Sequence, residues 1–237
     1  MSYQLTHINN TSFIHKNYTE QIKALELFFK ETNTNSIPIS KIKFGGGTAL
    51  SIYYFQHRLS FDIDLFVEDG QYLDFLRPKL WIEESSNFNA NEYIDQYNHI
   101  GLVTSNDIKV DILTDMNSTE YFVDDTKKIF PFDIYIESIE NILAKKITFR
   151  KTDNKARDIF DLATAISKDK FIIQNMLKND KIMMDDILIL QKSIENLNHK
   201  KYMIEIEIVE PFEEFKTIAK NAQHIILDNI TDTLKQK

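Results

Sequence analysis

The chain has 237 residues, of which 43% are apolar and 27% are charged, so it is long and apolar enough to fold around one or two cores. It contains no cysteine, which excludes disulfides, thiolate metal sites and a cysteine nucleophile. The formal net charge of −8 restricts any contact with nucleic acid to a local surface. No apolar run approaches the roughly 18 residues that span a bilayer, and the first residues lack a signal-peptide pattern. We therefore expect a cytoplasmic protein that makes no membrane contact.

The N-terminal third predicts a helix followed by a strand, a glycine turn and a second helix. Apolar residues recur at roughly helical spacing over residues 18–30. Residues 42–44 then predict a short strand and residues 45–47 a tight loop of three glycines. Residues 48–55 predict a helix with Thr48 as its N-cap.

Residues 61–67 alternate in polarity and predict a strand. Side chains two residues apart on a strand point the same way, so Asp62 and Asp64 are expected on one face. Phe61, Ile63 and Leu65 are expected to pack on the other face. Two adjacent carboxylates repel each other, so their pairing suggests a bound cation.

A hairpin is predicted further along, from residues 99–104 and 108–113, with its turn at residues 105–107. Its second strand directs Lys109, Asp111 and Leu113 to one face and the intervening apolar residues to the other. Asp111 is therefore the candidate for a third carboxylate beside the first two.

The pattern becomes helical from residue 136 onward, which places a domain boundary near residue 135. Only residues 203–209 remain ambiguous, because their alternation fits either a strand or the start of a helix. We predict an α+β protein in which residues 1–135 form a mixed β-sheet with flanking helices. Residues 136–237 are predicted to form a helical C-terminal bundle.

Two of these features suggest chemistry. Glycines between a strand and a helix expose backbone N–H groups that suit phosphate, although such turns are also common as plain structure. Mg²⁺ is commonly held by a few carboxylates together with substrate phosphates, and the Asp62 and Asp64 pair fits that need. A solvated surface or a calcium-like site is the alternative for the pair.

The order of these motifs resembles the AbiEii/AbiGii-type nucleotidyltransferase toxins of the polymerase-beta-like superfamily. The resemblance spans roughly residues 44–162 and rests on these residues: Gly46-Gly47-Thr48-Ala49-Leu50, Arg58-x-Ser60-x-Asp62-Ile63-Asp64-Leu65, Lys109-Val110-Asp111-Ile112, Glu137-x-Ile139 with Leu143-Ala144-x-Lys146, and Arg157-Asp158-x-x-Asp161-Leu162. One departure is Gly45, which stands before the glycine pair where family members often have a lysine; Lys43 is the candidate substitute.

The resemblance implies a nucleotidyltransferase-like fold and specific roles for the matched residues. Mg²⁺, or alternatively Mn²⁺, would be held by Asp62, Asp64 and Asp111. Lys146 and Asp158 would complete the catalytic set from the helical domain, which would contribute to the active-site cleft. The residues predicted to bind the nucleotide are Gly46, Gly47, Thr48, Arg58, Ser60 and Lys109. For Arg58, an ion pair with Asp62 or Asp64 is an equal alternative.

The implied reaction transfers a nucleotide from an NTP to an acceptor hydroxyl. RNA such as tRNA is the favoured acceptor, because a basic stretch lies near the proposed helical part of the site: Lys145, Lys146, Arg150, Lys151, Lys155 and Arg157. A solvated helix face is the alternative for this stretch. The resemblance also implies a toxin of a toxin–antitoxin or abortive-infection system, with a cognate antitoxin as partner. Transfer to a protein or a small molecule, or a catalytically silent nucleotide- or RNA-binding module, are the alternatives.

Overall fold

The computed structural model describes residues 10–32, 37–84, 86–115 and 120–235. The chain divides into two compact units. The first contains the chain up to Tyr54 together with Ser60–Ser138, and the second contains Phe55–Leu59 together with the chain from Ile139 onward. In the described parts, no helix is both long enough and apolar enough to cross a bilayer.

The first unit is built around a mixed β-sheet. Its helices are α1 (Thr11–Asn17), α2 (Thr19–Glu31), α3 (Gly46–Ala49), which continues as a π-helix over Leu50–Phe55, and α4 (Gly70–Phe75). Its strands are β1 (Ile42–Gly45), β2 (Ile63–Val67), β3 (Ile94–Gln96), β4 (His99–Val103), β5 (Lys109–Thr114), β6 (Tyr121–Asp124) and β7 (Ile134–Glu137).

The described strands form one seven-stranded sheet in the order β3-β4-β5-β2-β1-β7-β6. Strand β2 pairs with β5 in parallel and with β1 antiparallel, and β1 also pairs with β7 in parallel. Strands β4 and β5 form the predicted antiparallel hairpin. The prediction of an α+β fold with a mixed sheet is confirmed.

Burial alternates over residues 63–65 of β2 and 109–112 of β5, as the sequence predicts. Ile63, Leu65, Val110 and Ile112 are fully buried on one face of the sheet. The expectation that Phe61 packs with them is wrong, because 63% of Phe61 is exposed. Strand β2 begins only at Ile63, so Phe61 lies before the sheet and not on its buried face.

The second unit is helical in its described part. Its helices are α5 (Ile139–Arg150), α6 (Ala156–Lys168), α7 (Ile172–Lys178), α8 (Met184–Glu195), α9 (His199–Val209), α10 (Lys216–Lys220) and α11 (Ala222–Lys235). Helix α6 is central: every residue from Asp158 to Ile166 is buried, and α6 packs against α9, α10 and α11. The ambiguous alternation therefore lies in helix α9, whose buried residues Tyr202 and Ile206 have helical i, i+4 spacing.

The hydroxyl of Tyr202 provides a test of packing in the second unit. It donates a hydrogen bond of 2.6 Å to the backbone carbonyl of Ala219, and both residues are buried. Substitution Tyr202→Phe removes this buried hydrogen bond, so we expect the free energy of unfolding to fall by about 1–2 kcal/mol. Urea denaturation measures the change. The matched control is Tyr97→Phe, at a side chain that is 88% exposed, and equal midpoints for the two variants would contradict the packing described here.

Candidate active site

Two of the three predicted metal carboxylates lie side by side in the sheet. In the parallel pairing of β2 with β5, Asp64 is the register partner of Asp111. Register partners on adjacent strands direct their side chains to the same face, and both aspartates are half-buried there. Asp62 lies two residues before Asp64, immediately before β2 begins, and is also half-buried. The exposed Lys109 begins β5, two residues before Asp111.

Glycines make room for the carboxylates on this face of the sheet. Gly46 has a φ of +67°, and a Cβ there would lie 1.9 Å from Oδ2 of Asp64. A Cβ on Gly45 would lie 2.0 Å from Oε2 of Glu137, a buried carboxylate that the sequence did not indicate as a site residue. The glycine turn is therefore packed closely against acidic side chains, and any larger residue at Gly45 or Gly46 would collide with them.

Thr48 and Ser60 are buried hydroxyl residues that fix the loop before β2. The Thr48 hydroxyl lies 2.9 Å from Oγ of Ser60 and also donates to the backbone carbonyl of Asp62. The prediction that Thr48 caps the helix is wrong, because α3 begins at Gly46 and its N-cap position is Gly45. The bonds from Thr48 instead connect the glycine turn to the residues that position Asp62.

A histidine contacts the third carboxylate. Nε2 of His99, at the start of β4, lies 2.7 Å from Oδ1 of Asp111. The spacing of the histidines along the sequence does not by itself indicate this contact. The signal was present in the hairpin, because antiparallel pairing places His99 opposite Leu113 and therefore on the same face as Asp111.

The remaining predicted catalytic residues, Lys146 and Asp158, form an ion pair within the second unit. Burial raises the pKa of the Asp158 carboxyl, but the Lys146 ammonium outweighs burial and the net pKa is lowered. Nζ of Lys146 also lies 3.1 Å from Oδ2 of Asp161. Lys146 therefore lies between two carboxylates, and both of them are ionised at neutral pH.

Asp161 is the centre of a fully buried charge cluster in the second unit. Arg58 binds it in a bidentate manner, with Nε 2.7 Å from Oδ1 and Nη2 2.9 Å from Oδ2. Nε2 of His57 lies 2.7 Å from Oδ1 of the same carboxylate. Burial raises the pKa of Asp161, but the charges of Arg58 and Lys146 outweigh burial and hold the pKa well below its usual range. Burial lowers the pKa of His57, so this imidazole is neutral.

This cluster bears on the prediction for Arg58. The guanidinium is buried and bound to Asp161, an aspartate that the sequence analysis left without a role. Arg58 thereby attaches residues 55–59 to the helices of the second unit. A direct contact of Arg58 with the nucleotide stays a prediction.

Part of the predicted basic stretch lines a pocket in the second unit. The cationic side chains in its wall are Lys146, Arg150, Lys151 and Lys155, with Asn154 between them, and its apolar wall includes Leu162, Leu190 and Ile226. These cations have acidic neighbours: Arg150 pairs with Asp158 and Lys151 with Asp186. Lys145 and Arg157 are not among the lining residues of this pocket.

Across the described ranges, no three His, Asp or Glu side chains converge into a metal-binding group. The arrangement of Asp64 and Asp111 still fits Mg²⁺, because this ion is usually bound by one or two carboxylates, with water and substrate phosphates completing its octahedron. The oxygen donors also match the preference of Mg²⁺ and Mn²⁺.

Comparison with known proteins shows the family. The model of the family described as "Nucleotidyl transferase AbiEii toxin, Type IV TA system" matches residues 33–183, more than half of the chain. The chain belongs to the AbiEii family. It is therefore a member of a family of toxin nucleotidyltransferases, and the matched region contains every predicted site residue from Gly46 to Asp158.

The chain is also similar to solved structures. MenT4, a nucleotidyltransferase toxin from Mycobacterium tuberculosis, is similar with a TM-score of 0.53 and 12% identity, over 95% of this chain and 92% of that chain. JHP933 from Helicobacter pylori has a TM-score of 0.49 and 17% identity, over 92% of this chain and 96% of that chain. No curated protein matches the chain. The similarity to MenT4 shows that this AbiEii-family chain has a nucleotidyltransferase-like fold.

Removing the Asp161 carboxylate charge tests the buried cluster. Substitution Asp161→Asn leaves Arg58 and Lys146 without their shared partner, so we expect a loss of about 3–5 kcal/mol in the free energy of unfolding. Because the folded pKa of Asp161 is depressed, the stability that its charge contributes is fully present above the ordinary carboxyl pKa of 3.8 and is lost as pH falls below it. The difference from wild type should therefore be large at pH 7 and should shrink in acid.

Denaturation at a series of pH values measures this difference. The matched control is Asp185→Asn, at an exposed aspartate of α8, which should behave like wild type throughout. A difference between wild type and Asp161→Asn that stays constant from pH 7 down through the acid range would contradict the depressed pKa.

Proposed function

We propose that this AbiEii-family toxin transfers a nucleotide from an NTP to an acceptor hydroxyl, with Mg²⁺ or Mn²⁺ held by Asp64 and Asp111 and assisted by Asp62. The observation that supports this proposal is the register of β2 and β5, in which Asp64 lies opposite Asp111 beside Gly46. Two neighbouring carboxylates repel each other, and this repulsion costs free energy. Their placement on one half-buried face therefore favours the binding of a cation.

In this reaction, the acceptor oxygen attacks the α-phosphorus of the NTP while the bond from that phosphorus to the bridging β-phosphate oxygen breaks. The products are the nucleotidylated acceptor and pyrophosphate, and the acceptor hydroxyl proton is released. When bound, the divalent ion supplies charge neutralisation for the triphosphate. The protein contributes the carboxylates on a rigid sheet, where Thr48 and Ser60 fix the backbone of Asp62.

Further phosphate-neutralising charge is proposed for Lys146, which forms an ion pair with Asp158. The contact between these two side chains holds the ammonium in one position. A group that is already positioned loses less freedom when it contacts a phosphate. Lys109, exposed at the start of β5, and the backbone N–H groups of Gly46 and Gly47 are the other candidates for contacts with the nucleotide.

The acceptor that we propose is RNA, such as tRNA. The basic stretch of the second unit supports this, because Lys146, Arg150, Lys151 and Lys155 line one pocket. Lysine and arginine side chains are the groups that most often contact the phosphate oxygens of a nucleic acid. The type IV toxin–antitoxin description of the family also supports a cognate antitoxin as a partner of this chain in the cytoplasm.

Substitution of the paired aspartates tests the proposed reaction. Each of Asp64→Asn and Asp111→Asn removes a charged ligand while keeping the shape of the side chain. We expect each to lower transfer at least about 100-fold, because the charge stabilisation of the triphosphate is lost. The measurement is incorporation of label when the protein is incubated with each labelled NTP, Mg²⁺ and total tRNA.

The matched control is Asp107→Asn, in the turn of the same hairpin, where the aspartate is exposed and has a positive φ that asparagine also adopts. It should retain full activity. Label that appears on the protein itself would replace RNA with a protein acceptor, and no label on any acceptor, with any NTP, would refute the proposed transfer.

A double substitution tests the role of the basic pocket in the second unit. Substitutions Arg150→Gln and Lys155→Gln, made together, should weaken RNA binding and lower the slope of log affinity against log salt by about 1–2, since each phosphate contact contributes about one unit. Fluorescence anisotropy with labelled tRNA at several salt concentrations measures both quantities. Lys220→Gln, at an exposed lysine ending α10, is the control. An unchanged slope would remove the pocket from the RNA-binding surface.

A further inference from the structure

The contact between His99 and Asp111 is not explained by the family pattern that identifies the carboxylates. His99 begins β4, two residues before Gly101, and both direct their side-chain positions to the face that carries Asp111. Gly101 is the register partner of Asp111, and His99 is the register partner of Leu113. The imidazole therefore reaches Asp111 along the diagonal between two pairs.

This diagonal contact depends on the absence of a side chain at Gly101. A Cβ at Gly101 would lie 3.1 Å from Oδ1 of Asp111, closer than ordinary van der Waals contact. The same Cβ would lie 3.1 Å from Cδ1 of Ile94, the register partner of Gly101 on β3. Asp111 thus has a close-packed backbone directly beside it and a polar partner on the diagonal.

In the contact between His99 and Asp111, the histidine is the hydrogen-bond donor. An ionised carboxylate only accepts hydrogen bonds, so Nε2 of His99 must carry the proton at its distance of 2.7 Å. The bond engages Oδ1 of Asp111. In the part of the chain that the structure describes, no hydrogen bond is found for Oδ2. One carboxylate oxygen is therefore held by the protein while the other remains for a ligand.

We infer that His99 is a positioning residue that orients the Asp111 carboxylate so that its second oxygen coordinates the divalent ion. This inference rests on the proposed function and adds a residue to it. A hydrogen bond to a coordinating group fixes the orientation of that group, and losing such an outer partner typically weakens metal binding by about 10–100-fold. Coordination of the ion by His99 itself is disfavoured, since Mg²⁺ prefers oxygen ligands.

Three variants separate hydrogen bonding from packing. His99→Phe keeps a planar ring but removes the donor, whereas His99→Gln keeps an N–H donor without the ring. His224→Phe is the matched control, because His224 also pairs with an aspartate, Asp228, but lies exposed on α11. Melting temperatures establish that each variant is folded.

The measurement is isothermal titration of each variant with non-hydrolysable analogues of the four NTPs, with Mn²⁺ and without it. The ratio of the two affinities isolates the contribution of the metal, and no turnover is needed. We expect this ratio to fall at least about tenfold in His99→Phe, to recover in His99→Gln and to stay at the wild-type value in His224→Phe.

A ratio in His99→Phe equal to that of wild type would overturn the inference, and so would a His99→Gln variant as impaired as His99→Phe. Should His99→Phe fail to fold, His99→Leu is measured in its place, because it also removes the N–H donor and should lower the ratio to the same extent. If wild type itself gains no affinity from Mn²⁺, the metal-dependent function fails. That result is distinct from a failure of the role of His99 alone.

Discussion

The parallel pairing of β2 with β5 is the constraint on which the candidate site depends. Because side chains alternate along a strand, a shift of the register by one residue would move Asp111 to the buried face and bring Val110 or Ile112 beside Asp64. The fully buried Ile63, Leu65, Val110 and Ile112 oppose such a shift. The hydrophobic face of the sheet therefore fixes the position of the carboxylates on its other face.

The carboxylates of the two units have different neighbours. In the first unit, Asp64 and Asp111 lie beside glycines, and Asp111 also contacts a histidine. In the second unit, Asp161 is fully buried and is bound in a bidentate manner by Arg58. The negative charge of the carboxylates in the first unit is left for a ligand to balance. The negative charge of Asp161 is balanced by a cationic side chain of the protein. This contrast is why we place the metal at the sheet and a structural role at Asp161.

Much of the sheet and the identity of its carboxylates follow from the sequence, because alternation over residues 61–67 and 108–113 has a period that only strands produce. Pairing between β2 and β5 does not follow, since these strands are far apart in the chain. The contact of Arg58 with Asp161 does not follow from the sequence either, because it joins residues that are distant in the chain. Residues 203–209 were ambiguous because their alternation fits two periods, and packing against α6 selects the helix.

The most direct test of the account is to locate the ion itself. Crystals grown with Mn²⁺ and a non-hydrolysable NTP analogue would reveal the metal by its anomalous scattering. We expect a peak at about 2.0–2.3 Å from one oxygen of Asp64 and one of Asp111, with triphosphate oxygens completing the coordination. A peak elsewhere, or a bound triphosphate whose metal contacts neither aspartate, would contradict it.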